Sequence, residues 1–196
     1  MATANEKTWD LPTRVLHWAL AITITVQLAD SFFIDASQTR AFFYVHEAIG
    51  LAAALIILLH WMWSFANLDL HLLFPWWGEG WERVKAESRD LLRGRLPSGG
   101  RRAGLSSFVH GLGLLAVTAM GLTGFLIFVV VPGGRGAMAH STHYQAFTDL
   151  SAVHAFFSWF VWVYWGGHVG SALVHLFRRE PVFGEIFLNG GAAEHG

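Results

Sequence analysis

The sequence predicts an all-α integral membrane protein, a bundle of four transmembrane helices with both termini in the cytoplasm. Of its 196 residues, 54% are hydrophobic and only 14% are charged, and the mean hydropathy is +0.42. A soluble domain usually carries about 25% charged residues, so this depletion together with long apolar runs is typical of membrane proteins. A net charge of −1 gives no indication of nucleic-acid binding. We expect a single membrane domain over residues 1–196.

Four stretches are long and apolar enough to form these helices, because a spanning helix needs about 20 mostly apolar residues. They cover approximately residues 15–33, 42–66, 107–131 and 150–177. The first is the least apolar, since Gln27 and Asp30 lie near its end. We expect it to be retained as a helix rather than cleaved as a signal peptide, because the preceding residues are polar and no small-residue cleavage site follows it.

The distribution of lysine and arginine predicts the orientation. With the N-terminus inside, eleven of these cations lie on the inner side, whereas Arg40 and Arg135 are the two on the outer side. Such a bias follows the positive-inside rule and places the N-terminus in the cytoplasm. The inner loop over residues 67–106 is then cytoplasmic and interfacial. Its segment Trp76–Arg95 is predicted to form an amphipathic helix on the membrane surface, without a specific docking role.

Histidines inside the apolar stretches are the candidate functional residues, because an ionisable group within a membrane is costly and usually functional. His17, His46, His60, His110, His154 and His168 lie within or at the edges of the four stretches, and His175 lies at the inner end of the last. A single histidine of this kind can simply join two helices by a hydrogen bond. The absence of cysteine excludes disulfides, iron–sulfur ligation and covalent c-type haem attachment.

The spacing of the histidines favours two haems. His154 and His168 are fourteen residues apart, so in a helix they are separated by about 21 Å and lie within roughly 40° of one face. A hydrocarbon core about 30 Å thick then places one near each surface. His46 matches the depth of His154, and His17 matches that of His168. His60 lies fourteen residues from His46 and competes with His17, and the spacing leaves this choice open.

Six-coordinate iron with two histidine ligands suits electron transfer rather than oxygen binding. Zinc and copper fit less well, because their ligands gather in one coordination sphere whereas these histidines fall into two layers.

Four motifs resemble the bacterial cytochrome b561 family, particularly the cytochrome b subunits of membrane-bound Ni/Fe hydrogenases. They are W-D-L-P-T-R-V-L-H-W at Trp9–Trp18, H-E-A-I-G at His46–Gly50, R-D-L-L-R-G-R at Arg89–Arg95 and H-A-F-F-S-W-F-V-W-V-Y-W-G-G-H at His154–His168. The resemblance extends over nearly the whole chain. It implies two haem b groups with His17, His46, His154 and His168 as axial ligands, and so favours His17 over His60. The family commonly has an arginine near the inner haem, where this sequence has His60.

The resemblance also implies a role, namely electron transfer across a bacterial inner membrane between a quinone pool and a redox protein or catalytic subunit. Ubiquinone and menaquinone both fit, and an oligomer is compatible with it. His110 is expected to bind the quinone, a haem propionate or a backbone group, and Arg14, Arg101 and Arg102 are candidates for neutralising propionates.

Two other functions compete with this one. Some relatives oxidise superoxide and reduce quinone on their own, which would need a basic outer surface; Arg40, Arg135, His140 and His143 are the candidates. A non-redox anchor or transporter has little support, because no pair of spans is interrupted by glycine or proline.

Overall fold

The structure is a computed structural model that describes residues 10–34, 40–67, 70–95, 104–130 and 144–178. Within these ranges the chain forms α-helices and no strand. The helices are α1 (Leu11–Ser31), α2 (Arg40–Ala66), α3 (Leu70–Leu73), α4 (Gly78–Leu92), α5 (Leu105–Val130) and α6 (Tyr144–Phe177). The all-α class predicted from the sequence is therefore confirmed.

Three of the predicted spans are confirmed as helices long and apolar enough to cross a membrane, namely those in α2, α5 and α6. At most 22% of the most apolar stretch of each is buried within the chain. Their remaining apolar surface would be costly in water, and lipid removes that cost. The chain is a multi-pass membrane protein on these grounds.

The first predicted span differs from these three in hydropathy. Helix α1 has 21 residues, which is enough to cross a hydrocarbon core, but α1 is not among the helices apolar enough to qualify. Arg14, His17, Gln27 and Asp30 lie in it and lower its mean hydropathy. The four-span topology therefore stays a prediction, and Leu28 and Asp30 of α1 are buried within the chain.

Contacts within the chain divide it into two compact units. The first unit comprises Met1–Leu16, His60–Gly113 and Tyr164–Gly196, and the second comprises His17–Leu59 and Leu114–Val163. His60, His110 and His168 therefore belong to the first unit, and His46 and His154 belong to the second.

The core of the second unit is made of small and branched side chains. Ala53 and Ile57 of α2, Val117 of α5 and Val161 of α6 are buried. Gly121 of α5 allows a close approach to α2, because a Cβ atom there would lie 3.2 Å from Ile57 Cδ1. Small residues at such crossings let helices pack closely where lipid provides no hydrophobic drive for association.

In the first unit, the expected amphipathic helix is present as α4, and it packs against α5. Val84 is buried, and the Trp81 ring lies 5.8 Å from the Phe108 ring. The Glu87 carboxylate accepts a 2.8 Å hydrogen bond from the backbone N–H of Leu105, the first residue of α5. This carboxylate lies beside Gly104, where a Cβ atom would come 2.8 Å from its Oε2. Glu87 therefore serves as a cap for α5 from a separate helix.

We expect Glu87→Ala to lower the stability of the protein, because it leaves the first N–H of α5 without this acceptor. Loss of a cap costs about 1 kcal/mol. Thermal unfolding in detergent micelles measures the effect. Glu82→Ala is the matched control, since Glu82 lies on the same helix in an exposed ion pair with Lys85 that contributes little. Equal losses of stability in the two variants would contradict the capping role.

Candidate functional site

Two histidines of the second unit face each other. The ring centroids of His46 on α2 and His154 on α6 are 6.3 Å apart, and the ring planes are inclined by 83°. Both rings line a cavity of about 380 Å³, whose other walls are mostly apolar side chains of α1, α2, α5 and α6. An apolar cavity with a few convergent polar groups is the usual form of a cofactor site.

The separation of these rings fits an iron ion between them. An imidazole nitrogen binds a first-row transition metal at about 2 Å, so two opposed ligating nitrogens lie about 4 Å apart. The ring centroids lie further apart by one ring radius at each end, which is compatible with the observed 6.3 Å. Among the described residues, no group of three or more histidine, aspartate or glutamate side chains could hold a metal ion. Two facing imidazoles suit haem iron, because the porphyrin supplies the remaining four ligands.

Thr123 determines which nitrogen of His154 is available. The Thr123 hydroxyl donates to backbone carbonyls of its own helix, with Oγ1 2.8 Å from Ala119 O and 3.1 Å from Met120 O. The same Oγ1 lies 2.9 Å from His154 Nδ1. Since a hydroxyl has a single hydrogen, Oγ1 accepts from Nδ1–H when that hydrogen is in the bond to Ala119 O. The lone pair of neutral His154 is therefore on Nε2, the nitrogen left for a metal.

A glycine gives the His154 ring its place against α5. A Cβ atom at Gly124 would lie 3.2 Å from Cε1 of His154 and 3.7 Å from its Nδ1. Any larger residue would press on the ring and disturb the hydrogen bond to Thr123, one position earlier.

His46 is held by two residues of α1. Gln27 Nε2 donates a 2.6 Å hydrogen bond to the His46 backbone carbonyl, and Asp30 Oδ2 lies 3.5 Å from His46 Nδ1. Gly50 permits the first contact, because a Cβ atom there would lie 2.9 Å from Gln27 Nε2. This explains why the H-E-A-I-G motif combines a histidine with a glycine one turn later.

In the first unit, the ring that the structure brings against His168 is that of His110. Their centroids are 4.8 Å apart with an interplanar angle of 87°. This separation is too short for an iron ion between two ligating nitrogens. The Tyr164 ring stacks on the His168 ring, with their centroids 5.5 Å apart and their planes inclined by 18°. Gly113 makes room for Tyr164, since a Cβ atom there would meet the Tyr164 ring.

The tautomer of neutral His110 is also determined by its partner. Its Nδ1 donates a 2.7 Å hydrogen bond to the Ser106 carbonyl, which can only accept. The lone pair therefore lies on Nε2. His60 has a different surrounding in the same unit: its Nδ1 lies 3.4 Å from Ser64 Oγ, and the neighbouring Trp63 donates a 2.8 Å hydrogen bond to Asp10.

The remaining predicted residues are placed as follows. His17 lies on α1 with its ring edge-on to Trp18, and it belongs to the second unit whereas His168 belongs to the first, so their pairing stays a prediction. Arg14 lies in the first turn of α1. Arg101, Arg102, Arg135, His140 and His143 lie outside the described residues, as does the side chain of Arg40.

Three residues that contribute to the site, Asp30, Gln27 and Thr123, are not predicted as site residues by the sequence. A signal existed for the first two, since polar residues in an apolar helix require partners. Thr123 gave no signal, because threonine hydroxyls commonly bond to their own helix.

Apolar membrane helices that carry facing imidazoles define a class, the multi-pass membrane proteins that hold a metal cofactor within the bilayer. The comparison with protein families identifies the particular one: the family model described as prokaryotic cytochrome b561 matches residues 8–188. The chain therefore belongs to this family, which makes it a membrane b-type cytochrome of electron transfer and implies haem b. No curated protein and no solved structure gives a match.

We expect Thr123→Val to weaken haem binding at the His46–His154 pair, because it removes the acceptor that orients His154. Loss of such a partner typically costs about 10–100-fold in metal affinity. Haem content per chain after purification, measured by absorbance, gives the result. Thr123→Ser, which keeps the hydroxyl, should retain the haem. Thr118→Val removes another hydroxyl that bonds to α5 itself, to Leu114 O, and should also retain it. Equal haem loss in both valine variants would contradict this role for Thr123.

Proposed function

We propose that this protein is a dihaem b-type cytochrome that transfers electrons across the membrane between a quinone pool and a redox partner. The observation that carries the proposal is the pair His46 and His154, which face each other at 6.3 Å across an apolar cavity. These two residues hold one haem b, whose iron supplies the one-electron chemistry when bound. A haem held by both residues would have no open position for oxygen, which suits electron transfer.

The second haem is held by His168 and His17. The family match over residues 8–188 supports this assignment, because the match includes the motifs that carry both histidines. The placement of His110 against His168 also bears on it. Since His110 is too close to His168 to be the opposite ligand, the opposite ligand comes from another histidine. His17 is that ligand in our proposal, and His60 takes a neighbouring role.

The surrounding residues orient the ligands and exclude water. Thr123 accepts a hydrogen bond from Nδ1–H of His154, which leaves Nε2 for the metal. Phe43, Phe125 and Trp162 line the cavity around the His46–His154 pair and lower its polarity. Burial and hydrogen bonding of this kind are the means by which a protein sets the potential of a haem.

The four-span topology belongs to this proposal. Helix α1 crosses the membrane as the fourth span, with its polar side chains turned to protein and cofactor. The N-terminus lies in the cytoplasm, because eleven of the thirteen lysines and arginines then fall on the inner side. The membrane is the bacterial inner membrane, where quinone serves the respiratory chain.

His110 is the candidate quinone residue. Its Nδ1 is bonded to Ser106 O, so neutral His110 offers Nε2 as an acceptor for a quinol hydroxyl close to His168. An acceptor at this position would take a proton from a bound quinol. Both ubiquinol and menaquinol present the required hydroxyl.

The redox partner binds on one of the membrane surfaces. Helix α4 carries the exposed aromatic and apolar residues Trp77 and Leu92 at its two ends, beside exposed charges such as Arg83. Such a surface suits either lipid headgroups or a catalytic subunit. Superoxide oxidation is not part of the proposal; its candidate residues Arg135, His140 and His143 lie outside the described residues.

Haem content in histidine variants tests the ligand assignment. We expect purified wild-type protein to contain two haems per chain, and His46→Ala or His154→Ala to contain one. The double variant His46→Ala/His154→Ala should also keep one, because both residues hold the same haem. The double variant His46→Ala/His168→Ala should keep none. His71→Ala, at an exposed histidine of α3, is the control and should keep two.

The choice between His17 and His60 is tested in the same way. His17→Ala should lose one haem, and His60→Ala should keep both. The reverse result would transfer the ligand role to His60. Wild-type protein without a b-type spectrum would overturn the proposed function as a whole.

We expect His110→Ala to slow reduction of the haems by a short-chain quinol, because it removes the proton acceptor. Loss of a positioned acceptor typically costs about 100-fold or more in rate. Stopped-flow absorbance of the purified oxidised protein measures it, with His71→Ala as the control. Haem content must stay at two per chain for the comparison to hold. An unchanged rate in the His110 variant with both haems present would place the quinone elsewhere.

A further inference from the structure

A buried carboxylate lies behind one of the proposed haem ligands. Asp30, near the end of α1, is only 6% exposed, and its Oδ2 lies 3.5 Å from Nδ1 of His46. An isolated carboxylate inside a membrane helix costs several kcal/mol, so it is retained where it serves a function. The described residue that the structure places in ion-pair distance of Asp30 is His46.

We propose that Asp30 is a positioning residue for His46, and that its contact with His46 lowers the reduction potential of the haem held by His46 and His154. This inference rests on the proposed function, because it takes His46 to be a haem ligand. Asp30 itself does not line the cavity in which that haem is placed. It therefore acts through the imidazole of His46 and not on the iron.

Helix α1 holds His46 at two points. Gln27 and Asp30 are three residues apart, so they lie on the same face of α1. Gln27 Nε2 binds the backbone carbonyl of His46 at 2.6 Å, while Asp30 lies against the ring. The backbone and the side chain of the ligand are thus both fixed from one helix. Gly50 leaves the space in which the Gln27 amide fits.

The consequence for the ligand follows from the chemistry of imidazole. A carboxylate beside Nδ1 favours the tautomer with the proton on Nδ1, which leaves the lone pair on Nε2 for the iron. It also increases the negative charge that the ring shares with the metal. Additional negative charge stabilises ferric iron relative to ferrous iron, so the reduction potential falls.

The two ligands of this haem then differ in their partners. His154 bonds to the neutral hydroxyl of Thr123, whereas His46 contacts the carboxylate of Asp30. The neutral partner orients its ring without adding charge. Asp30 is thus the ligand partner that adds negative charge near this haem. Thr123 is the uncharged partner of the other ligand in the same site.

Redox titration of the purified full-length protein, followed by haem absorbance, tests the inference. We expect Asp30→Asn to shift one of the two midpoint potentials to a more positive value while the other stays at the wild-type value. Glu47→Gln is the matched control: it removes a carboxylate that lines the same cavity, next to His46 in sequence. Its shift should be smaller, because the carboxylate that the structure places at ion-pair distance from Nδ1 of His46 is that of Asp30.

Three outcomes would overturn the inference. They are unchanged potentials in Asp30→Asn, an equal shift of both potentials, and a shift in Glu47→Gln as large as that in Asp30→Asn. The last two would indicate a general effect of charge rather than the contact with His46. If Asp30→Asn loses the haem, Asp30→Glu decides the matter. A haem retained near the wild-type potential in Asp30→Glu supports the inference, and loss of that haem as well assigns Asp30 a packing role and overturns it.

These results are distinguishable from failure of the proposed function. Wild-type protein that contains two haems, combined with an unaffected Asp30→Asn variant, refutes the role of Asp30 alone. Wild-type protein without haem refutes the proposed function itself.

Discussion

An imidazole within an apolar helix needs a partner for each polar nitrogen, because lipid offers neither a donor nor an acceptor. The structure places a polar partner at hydrogen-bond distance from Nδ1 of His154 and of His110, and a carboxylate at ion-pair distance from Nδ1 of His46. His154 Nδ1 bonds to Thr123, His110 Nδ1 bonds to the Ser106 carbonyl, and His46 Nδ1 lies against Asp30. With Nδ1 of His154 engaged, Nε2 is the nitrogen that it presents to a metal. The partner at Nδ1 that offsets the cost of burying a histidine thus also leaves Nε2 for use as a ligand.

Glycine makes these arrangements possible, because the partners come from neighbouring helices at short range. Gly50 leaves space for the Gln27 amide, Gly124 for the ring of His154, and Gly113 for the ring of Tyr164. At each of these positions a Cβ atom would lie closer than an ordinary van der Waals contact. Glycine in a helix costs about 1 kcal/mol relative to alanine, and the contacts of the polar side chains offset this cost.

The two histidine pairs are chemically different. His46 and His154 are separated as two ligands of one iron would be, whereas His110 and His168 are in edge-to-face contact. The second arrangement suits a ligand with a neighbouring proton acceptor. Under the proposed function, the first pair would hold a haem and the second would place a proton acceptor beside a haem ligand. The segment between α2 and α5 contains α4, which packs against α5 and caps its first residue through Glu87.

Composition and local pattern determined the class of this protein by themselves. Hydropathy identified the spans in α2, α5 and α6, and the helical repeat placed His154 and His168 at two depths, because rise and rotation along one helix are local properties. The motifs were enough to indicate the family. Tertiary structure decided what each polar residue contacts. In the sequence, Asp30 lowers the hydropathy of α1 and makes it a poorer candidate for a membrane span. Only the packing of α2 against α1 shows that Asp30 lies against His46. His110 and Thr123 likewise acquire their roles from neighbouring helices, since the distance between helices depends on side-chain size at every crossing and is not encoded in any single segment.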